Sequence, residues 1–185
     1  MTYRRQRSDT TEVPRRGSRA RSPRVTAIAL AAAVCLGAAA CGSSTSAPTY
    51  NKATAGSDIN SAYQTVFNLA NPSLNPKIAA IQDGTTIQTA FNQALTSSLA
   101  KSSAGAKLDS YTILSSSKCT SAHVPSPCAK VVYDIDGPTG TAILPNSQGY
   151  AVFVNGKWLV AKATICGLLG LFKQASGQTG TPQGC

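Results

Sequence analysis

The sequence lacks the residues and motifs on which most enzyme chemistry depends. It has a single histidine, His123, and only seven acidic residues among 185 positions. It contains no Gly-x-Ser-x-Gly elbow, no phosphate-binding glycine loop and no His-Glu-x-x-His motif, which mark serine hydrolases, nucleotide-dependent enzymes and zinc proteases. The Cys-x-x-Cys spacing of thiol oxidoreductases is also missing. We therefore predict no catalytic residue, no cofactor and no enzyme activity.

Positive charge is plentiful, but it is not arranged as a nucleic-acid-binding surface. The formal net charge is +10. Eight arginines lie within residues 4–24 beside Asp9 and Glu12, whereas the rest of the chain has nine scattered lysines and five aspartates. Nucleic-acid binding needs a clustered basic face, and no basic stripe interleaved with aromatics occurs after residue 40. We predict no nucleic-acid partner.

The N-terminal segment has the three-part layout of an export signal. A basic region, residues 1–24, precedes an apolar region, residues 25–40, which has no charge and ends in three alanines. Cys41 follows directly. A cysteine at the cleavage point resembles the lipobox of bacterial lipoproteins, in which the thiol accepts a diacylglycerol and becomes the new N-terminus. We predict that Cys41 is lipidated and that the protein is anchored to the outer face of the cell membrane.

Two alternatives to lipidation and one question of export route stay open. The lipobox usually has Leu three residues before the cysteine, where this chain has Ala38, so ordinary cleavage after Ala40 would release a secreted protein. The sixteen apolar residues could remain as an anchor, although they fall short of the ~20 that a spanning helix needs. The pairs Arg4-Arg5 and Arg15-Arg16 could indicate twin-arginine export. Parity favours the lipid, because acylation of Cys41 leaves an even number of cysteines behind it.

The chain after Cys41 divides into a tether, one domain and a tail. Residues 41–56 are mostly Ser, Thr, Ala, Pro and Gly, a composition that buries too little apolar surface to fold. We predict a flexible tether there. Residues 57–174 are long enough for one hydrophobic core. Residues 175–185 are again small and polar, and we expect Cys185 to pin this tail to the domain.

The first half of the domain shows helical spacing of apolar residues. One face of a first helix, which Asn71-Pro72 would end, is formed by Ile59, Tyr63, Val66, Phe67 and Ala70. Pro76 suits the first turn of a short second helix containing Ile78 and Ile81, closed by Asp83-Gly84. The same period predicts a third helix that ends near Gly105, with Ile87, Phe91, Ala94, Leu95 and Leu99 on its apolar face.

The second half has the two-residue alternation of strands. We predict strands over residues 108–118, 129–136, 141–145, 148–154 and 157–164. Asn155-Gly156 between the last two predicts a type I′ hairpin turn, because both central residues of that turn need positive φ. Residues 165–174 read as a short apolar helix. Helices followed by antiparallel strands predict an α+β domain, with the helices on one face of a curved sheet.

The four remaining cysteines allow three disulfide pairings. We favour Cys119–Cys128 and Cys166–Cys185, because both bonds are local and an exported protein meets an oxidising environment. Each bond closes a loop of ~10 to 20 residues, worth about 3 kcal/mol in the chain-entropy model. A zinc site formed by Cys119, Cys128 and His123 is the alternative, but its spacing matches no standard finger. We predict no metal.

The C-terminal half resembles a known family. It contains Gly-x-Trp-x-Val over residues 156–160, Thr-x-Cys-x-Leu-Leu over 164–169 and Pro-x-x-Cys over 182–185. These motifs are similar to those of small secreted actinobacterial proteins named after the mycobacterial low-molecular-weight secreted antigen, and the likeness covers about residues 57–185. The resemblance implies an NTF2-like or cystatin-like cone and an exported location, and it implies no catalytic residues. The loop between Cys119 and Cys128 is not part of that pattern.

The resemblance also suggests where a ligand would bind. Such cones can hold a small molecule between sheet and helices, and the aromatic residues that we expect to line this pocket are Tyr63, Phe67, Tyr111, Tyr133 and Trp158. The expected partner is a small apolar ligand or an envelope protein. The alternative is an isomerase or cyclase, which needs a carboxylate inside the cone beside a tyrosine. The candidates for that carboxylate are Asp83, Asp109, Asp134 and Asp136.

Overall fold

The computed structural model of the protein describes residues 49–69 and 71–185. The predicted signal segment, Cys41 and residues 42–48 of the predicted tether lie outside the described residues. The elements follow in the order α1 (Ala55–Phe67), α2 (Leu74–Ala79), α3 (Gly84–Leu95), α4 (Ser98–Lys101), β1 (Gly105–Ile113), α5 (Ser116–Ser121), β2 (Cys128–Asp136), β3 (Ala142–Val154), β4 (Lys157–Val160) and α6 (Lys162–Ala175). The predicted α+β class is confirmed.

The four strands form one antiparallel sheet in the order β1-β2-β3-β4. The sheet curls into a half-barrel, and register shifts interrupt the pairing after Leu108 and after Tyr133. Bulges of this kind add twist and bend a strand. The sheet pairs directly with the helical half through a parallel bridge between Ile81 and Val160. Helices and sheet therefore close around one apolar interior.

Alternation along the strands divides the buried residues between the two faces of the sheet. On β2, Ala129, Val131, Tyr133 and Ile135 are buried in the main core with α1, α3 and α6. A second, smaller cluster lies apart from the main core and contains Cys119, Val124, Cys128, Val152 and Ala161. Because side chains alternate across a strand, Val152 belongs to the opposite face from Ala151 and Phe153. The sheet is thus covered in part on both faces.

The hairpin between β3 and β4 has the predicted turn. Asn155 and Gly156 have φ values of 51° and 79°, and the flanking pair Val154↔Lys157 closes a two-residue loop. Trp158 and Val160 are both buried in the main core, whereas Leu159 packs against the second cluster. The predicted type I′ turn and the shared face of Trp158 and Val160 are confirmed.

Several predicted boundaries were wrong. The strand predicted over 157–164 ends at Val160, and the last helix begins at Lys162 rather than at residue 165. Residues 50–56 belong to the domain rather than to a tether, because the Tyr50 ring lies 5.3 Å from that of Trp158 and Ala55 is fully buried at the start of α1. The strand predicted over 108–118 ends at Ile113, and Ser116–Ser121 forms α5 instead. The third helix stops at Leu95, before the separate turn α4.

The two strands predicted over 141–145 and 148–154 form a single strand, β3, with an irregularity at Pro145-Asn146. Asn146 has a positive φ of 52°, and its backbone N–H donates a 2.7 Å hydrogen bond to the Asp134 carboxylate. Pro145 cannot donate to the ladder, so the strand bulges here and Asp134 satisfies the freed amide. The carboxylate of Asp134 therefore has a structural role.

Candidate functional site

Three of the five predicted pocket aromatics meet in the core. The Tyr63 ring centroid lies 4.8 Å from that of Tyr133 and 6.1 Å from that of Phe67, and the Phe67 and Tyr133 rings stack at 5.7 Å. Tyr63 also donates a 3.1 Å hydrogen bond to the carbonyl oxygen of Tyr150. These rings fix α1 against the sheet, because buried aromatic pairs at such distances add ~0.5–1.5 kcal/mol beyond their area.

Burial raises the pKa of both core tyrosines, Tyr63 and Tyr133. Desolvation, followed by the proximity of Tyr133, raises the pKa of Tyr63 well above its ordinary value of 10.0, although a hydrogen bond with Thr164 opposes this. Desolvation also raises the pKa of Tyr133, to about 12. Neither hydroxyl ionises near neutral pH, so neither acts as a base under those conditions.

These shifts predict loss of stability at alkaline pH. Above pH 10 the unfolded tyrosines release protons that the folded ones retain, so the unfolded state binds fewer protons and the free energy of unfolding falls as pH rises. The slope approaches ~1.4 kcal/mol per pH unit for each tyrosine. The stabilising contribution of the two tyrosines is complete below pH 10 and is lost progressively toward pH 12. Urea midpoints measured between pH 9 and 11 check this. Tyr133→Phe should reduce this fall in stability by up to ~1.4 kcal/mol per pH unit, and an unchanged fall would contradict the assignment.

The other two predicted aromatics lie elsewhere. Tyr111 is 37 % exposed and covers the start of α1, where a Cβ on Gly56 would come within 2.8 Å of its ring. Trp158 packs in a separate aromatic group with Tyr50 and Phe153. The prediction of one pocket lined by all five aromatics was wrong. Tyr111 lies on β1 and Trp158 on β4. The alternation of side chains along a strand does not by itself predict which of them reaches Tyr63.

The structure instead contains a deep cavity with wholly apolar exposed walls, which we call the apolar chamber. Its volume is about 40 Å³, room for about three water molecules by the usual criterion. Helices α1, α3, α4 and α6 meet the far ends of β2 and β3 around it. The lining residues are Val66, Phe67, Leu69, Phe91, Ala94, Leu95, Ala100, Ser103, Ile135, Ile143, Leu144, Ile165, Leu168, Leu169 and Phe172. Phe67 is the one predicted pocket aromatic among them.

A second, more polar cavity adjoins the chamber, and we call it the lysine cleft. The two cavities share Leu69, Leu95, Ala100 and Ser103. Lys77 and Lys101 are the charged residues that line the cleft. No aspartate among residues 49–69 and 71–185 lines either cavity. An uncharged cavity and a cationic cavity thus share a wall.

Ser103, on the wall between the two cavities, is a site residue that sequence reasoning missed. It is 9 % exposed, and its hydroxyl has no hydrogen-bond partner within the part of the chain that the structure describes. A buried hydroxyl without a partner costs ~1–3 kcal/mol. Ser103 lies between α4 and β1, in the run Ser102-Ser103-Ala104. This run has the composition of an ordinary loop, so nothing in the sequence indicated that Ser103 is buried at a cavity.

The candidate acids of the enzymatic alternative are distributed along turns and strands. Asp83 and Asp109 are exposed, and Asp134 and Asp136 are half-buried. Asp83 has a left-handed backbone, with φ 50°, at the start of α3. His123 is exposed in the loop after α5, also with positive φ. None of these groups approaches the apolar chamber closely enough to line it.

Comparison with known proteins identifies a family to which the chain is similar. A family model described as "Low molecular weight antigen MTB12, C-terminal domain" matches residues 51–176, which is more than half of the chain. The chain belongs to this MTB12 antigen family. The family resemblance drawn from the sequence is therefore confirmed. The family and the disulfides also support the broader prediction of an exported, antigen-like protein. Comparisons with curated proteins and with solved structures found no match.

Both disulfides of this MTB12 domain are local. Cys119 and Cys128 are joined with a Cα–Cα distance of 5.9 Å, and Cys166 and Cys185 with one of 5.6 Å. The family match ends at residue 176, so the second bond ties the tail beyond it to α6. Within the described part of the chain, no three His, Cys, Asp or Glu side chains are grouped to hold a metal ion.

Among residues 49–69 and 71–185, no helix of the MTB12 domain combines the length and the apolar character that crossing a bilayer requires. α6 has fourteen residues and contributes Ile165, Leu168 and Leu169 to the core. Its apolar face is therefore already used inside the domain.

Proposed function

We propose that this protein is a lipid-anchored cell-envelope protein whose domain binds an apolar ligand without catalysis. The observation that supports the binding role is the apolar chamber, with its uncharged walls contributed by four helices and two strands. A site that holds a ligand by burial needs no titrating side chain. An isomerase or cyclase would need a carboxylate in the chamber, and the aspartates among the described residues lie outside it.

The energetics also favour an occupant. A cavity costs about 24 cal/mol per Å³, so the chamber costs on the order of 1 kcal/mol, and the unpartnered hydroxyl of Ser103 adds to that cost. Apolar cavities stay dry and accept apolar molecules instead of water. A ligand that fills the chamber supplies the van der Waals contacts that its walls lack, so binding would offset the cost of the cavity.

The anchor rests on Cys41. The structure pairs four of the five cysteines that follow residue 40, which leaves Cys41 as the odd one. Since the domain already begins at Tyr50, the chain from Cys41 spans at most about 30 Å at ~3.4 Å per residue. We infer that the lipid holds the domain close to the membrane surface. Free secretion after cleavage at Ala40 is the alternative.

A binding measurement tests the proposed ligand site. Octanol is a neutral single-chain probe whose last few carbons would occupy the chamber while the rest of its chain lies in the adjoining lysine cleft. It should bind the oxidised protein in isothermal titration calorimetry with negative heat-capacity change, because apolar surface is buried. Ala100→Leu, at the boundary of chamber and cleft, should weaken binding at least tenfold, about 1.4 kcal/mol. Ala163→Leu is the matched control, because Ala163 is exposed on α6 and should bind like the wild type.

A second blocking variant protects this test against misfolding. Ala94→Leu fills the chamber from α3, and circular dichroism with urea melts reports whether each variant is folded. Weaker binding by both folded blocking variants supports the site. Failure of octanol to bind the wild type, or equal affinity of the wild type and both folded variants, would contradict it.

Intact mass spectrometry of protein purified from host membranes tests the anchor. We expect a diacylglycerol adduct on Cys41 and a gain of about four hydrogens on reduction, because two disulfides are present. Cys41→Ser should move the protein from the membrane fraction to the medium. An unmodified Cys41 in protein recovered from the culture supernatant would contradict the anchor and leave free secretion.

A further inference from the structure

The lysine cleft differs chemically from the chamber that it adjoins. Lys77 and Lys101 bring two positive charges to its walls, and the remaining lining residues are neutral. Since none of the described residues on these walls is acidic, the two ammonium groups have no counter-charge from them inside the cleft. Such a surface attracts anions, because clefts with low-dielectric walls strengthen the field of the charges that line them.

Lys77 is an unusual residue to find in this position. It is 2 % exposed, whereas lysine is almost never fully buried unless it is paired. Its Nζ donates hydrogen bonds to the carbonyl oxygens of Asn71 and Ser73, which fixes the ammonium beside the cleft. An ammonium has three donors, so one remains for a further acceptor. Desolvation lowers the pKa of Lys77, and an anion in the cleft would offset that cost.

Lys101 completes the opening from the other side. It is the last residue of α4 and is exposed, so its side chain can reach a group held at the opening. Ala100 and Ser103, its near neighbours in sequence, line both cavities. The two lysines, the buried unpaired hydroxyl of Ser103 and the apolar interior are therefore grouped around the wall that the two cavities share.

We propose that these adjoining cavities bind a single-chain amphiphile with an anionic head, with the last few carbons of the alkyl chain in the apolar chamber and the rest of the chain and the head in the lysine cleft between Lys77 and Lys101. The inference rests on the proposed function, because it names the ligand class of that same site. The head is a carboxylate or a phosphate, and lysine accepts both because its ammonium acts as a point charge. Ser103 then offers its hydroxyl to the head or to the polar atom next to it.

Calorimetry with three probes of equal chain length tests the proposal on the oxidised protein. Octanoate and octyl phosphate should bind about tenfold more tightly than octanol at low salt, and the advantage should shrink at high salt because exposed charges are screened. Tighter binding of octanoate would assign the head to a free fatty acid, and tighter binding of octyl phosphate would assign it to a phospholipid. Equal binding of all three probes would overturn the anionic head and leave the apolar site standing.

Substitutions of the cleft lysines test the contribution of the anionic head separately from that of the alkyl chain. Lys101→Gln should lower octanoate affinity about threefold and Lys77→Met about tenfold, with octanol affinity unchanged in both, because a partly desolvated charge contributes more than an exposed one. Lys173→Gln is the matched control, because Lys173 lies on α6 outside the cleft. Lys101 is exposed, so its variant folds even if Lys77→Met does not. Unchanged octanoate affinity in Lys101→Gln and in folded Lys77→Met would overturn the proposal.

Discussion

Replacement of Gly84 by alanine should lower the free energy of unfolding by about 3 kcal/mol, near the upper end of what overpacking a core usually costs. Gly84 is buried at the first position of α3. A Cβ there would overlap the carbonyl oxygen of Ile78, with the Ile78 side chain at 3.2 Å. The oxygen belongs to the backbone of α2, so relief requires α2 and α3 to separate.

Gly167→Ala is the matched control for Gly84. Gly167 lies inside α6. Apart from its two chain neighbours and the nearby backbone of its own helix, no atom of the described residues comes within 4 Å of the place that a Cβ would occupy there. Its φ is not positive. Alanine costs less backbone entropy than glycine in a helix, so this variant should gain about 0.5–1 kcal/mol. Urea midpoints of the two variants should therefore shift in opposite directions. Loss of stability in both, or in neither, would show that the α2–α3 contact is described wrongly.

Removal of the Cys119–Cys128 disulfide should be the other large effect. Both cysteines are fully buried and form the centre of the second cluster with Val124, Val152 and Ala161. Closing this loop is worth about 3 kcal/mol in the chain-entropy model, and opening it also exposes the second face of the sheet. The double variant Cys119→Ala with Cys128→Ala should therefore lose about 3 kcal/mol or more.

The second disulfide provides the comparison. Cys166→Ser with Cys185→Ser removes a bond of similar loop-closure value, about 3 kcal/mol, but Cys185 and most of residues 176–185 are exposed. Hydrogen exchange should show faster exchange in the tail and near the start of α3, where Gly184 packs against Thr86, and little change in β2. Loss of protection in β2 that is as large here as in the Cys119/Cys128 variant would contradict the division into two clusters.

Much of the fold could be predicted because local signals and burial agree. The helical spacing around Ile59 and Tyr63, the alternation along β2 and the Asn155-Gly156 turn each specify an element from a few neighbouring residues. The errors lie where distant contacts decide. Tyr50 looks like a stray aromatic in a polar segment until Trp158 is placed opposite it, and Asn146 needs the carboxylate of Asp134 to hold the bulge that makes β3 continuous.

The candidate site was less predictable for the same reason. Aromatic residues were expected to line the pocket, yet the rings of Tyr63 and Tyr133 are used to pack α1 on the sheet. The chamber is lined mostly by aliphatic side chains such as Leu144, Ile165 and Leu168, which the sequence presents as ordinary core positions. A cavity is a property of how elements meet, and no single segment shows it. Lys77 likewise has the sequence context of an exposed helix residue.

Methyl-detected nuclear magnetic resonance during an octanoate titration tests the ligand site most directly. We predict intermolecular nuclear Overhauser effects from the alkyl chain to the methyl groups of Leu144, Ile165 and Leu168, with saturation at one equivalent. Leu171 is the internal control, because it lies on the same helix as Ile165 and Leu168 but is 56 % exposed. Effects confined to Leu171 and other exposed methyl groups, without saturation, would contradict a ligand site in the apolar chamber.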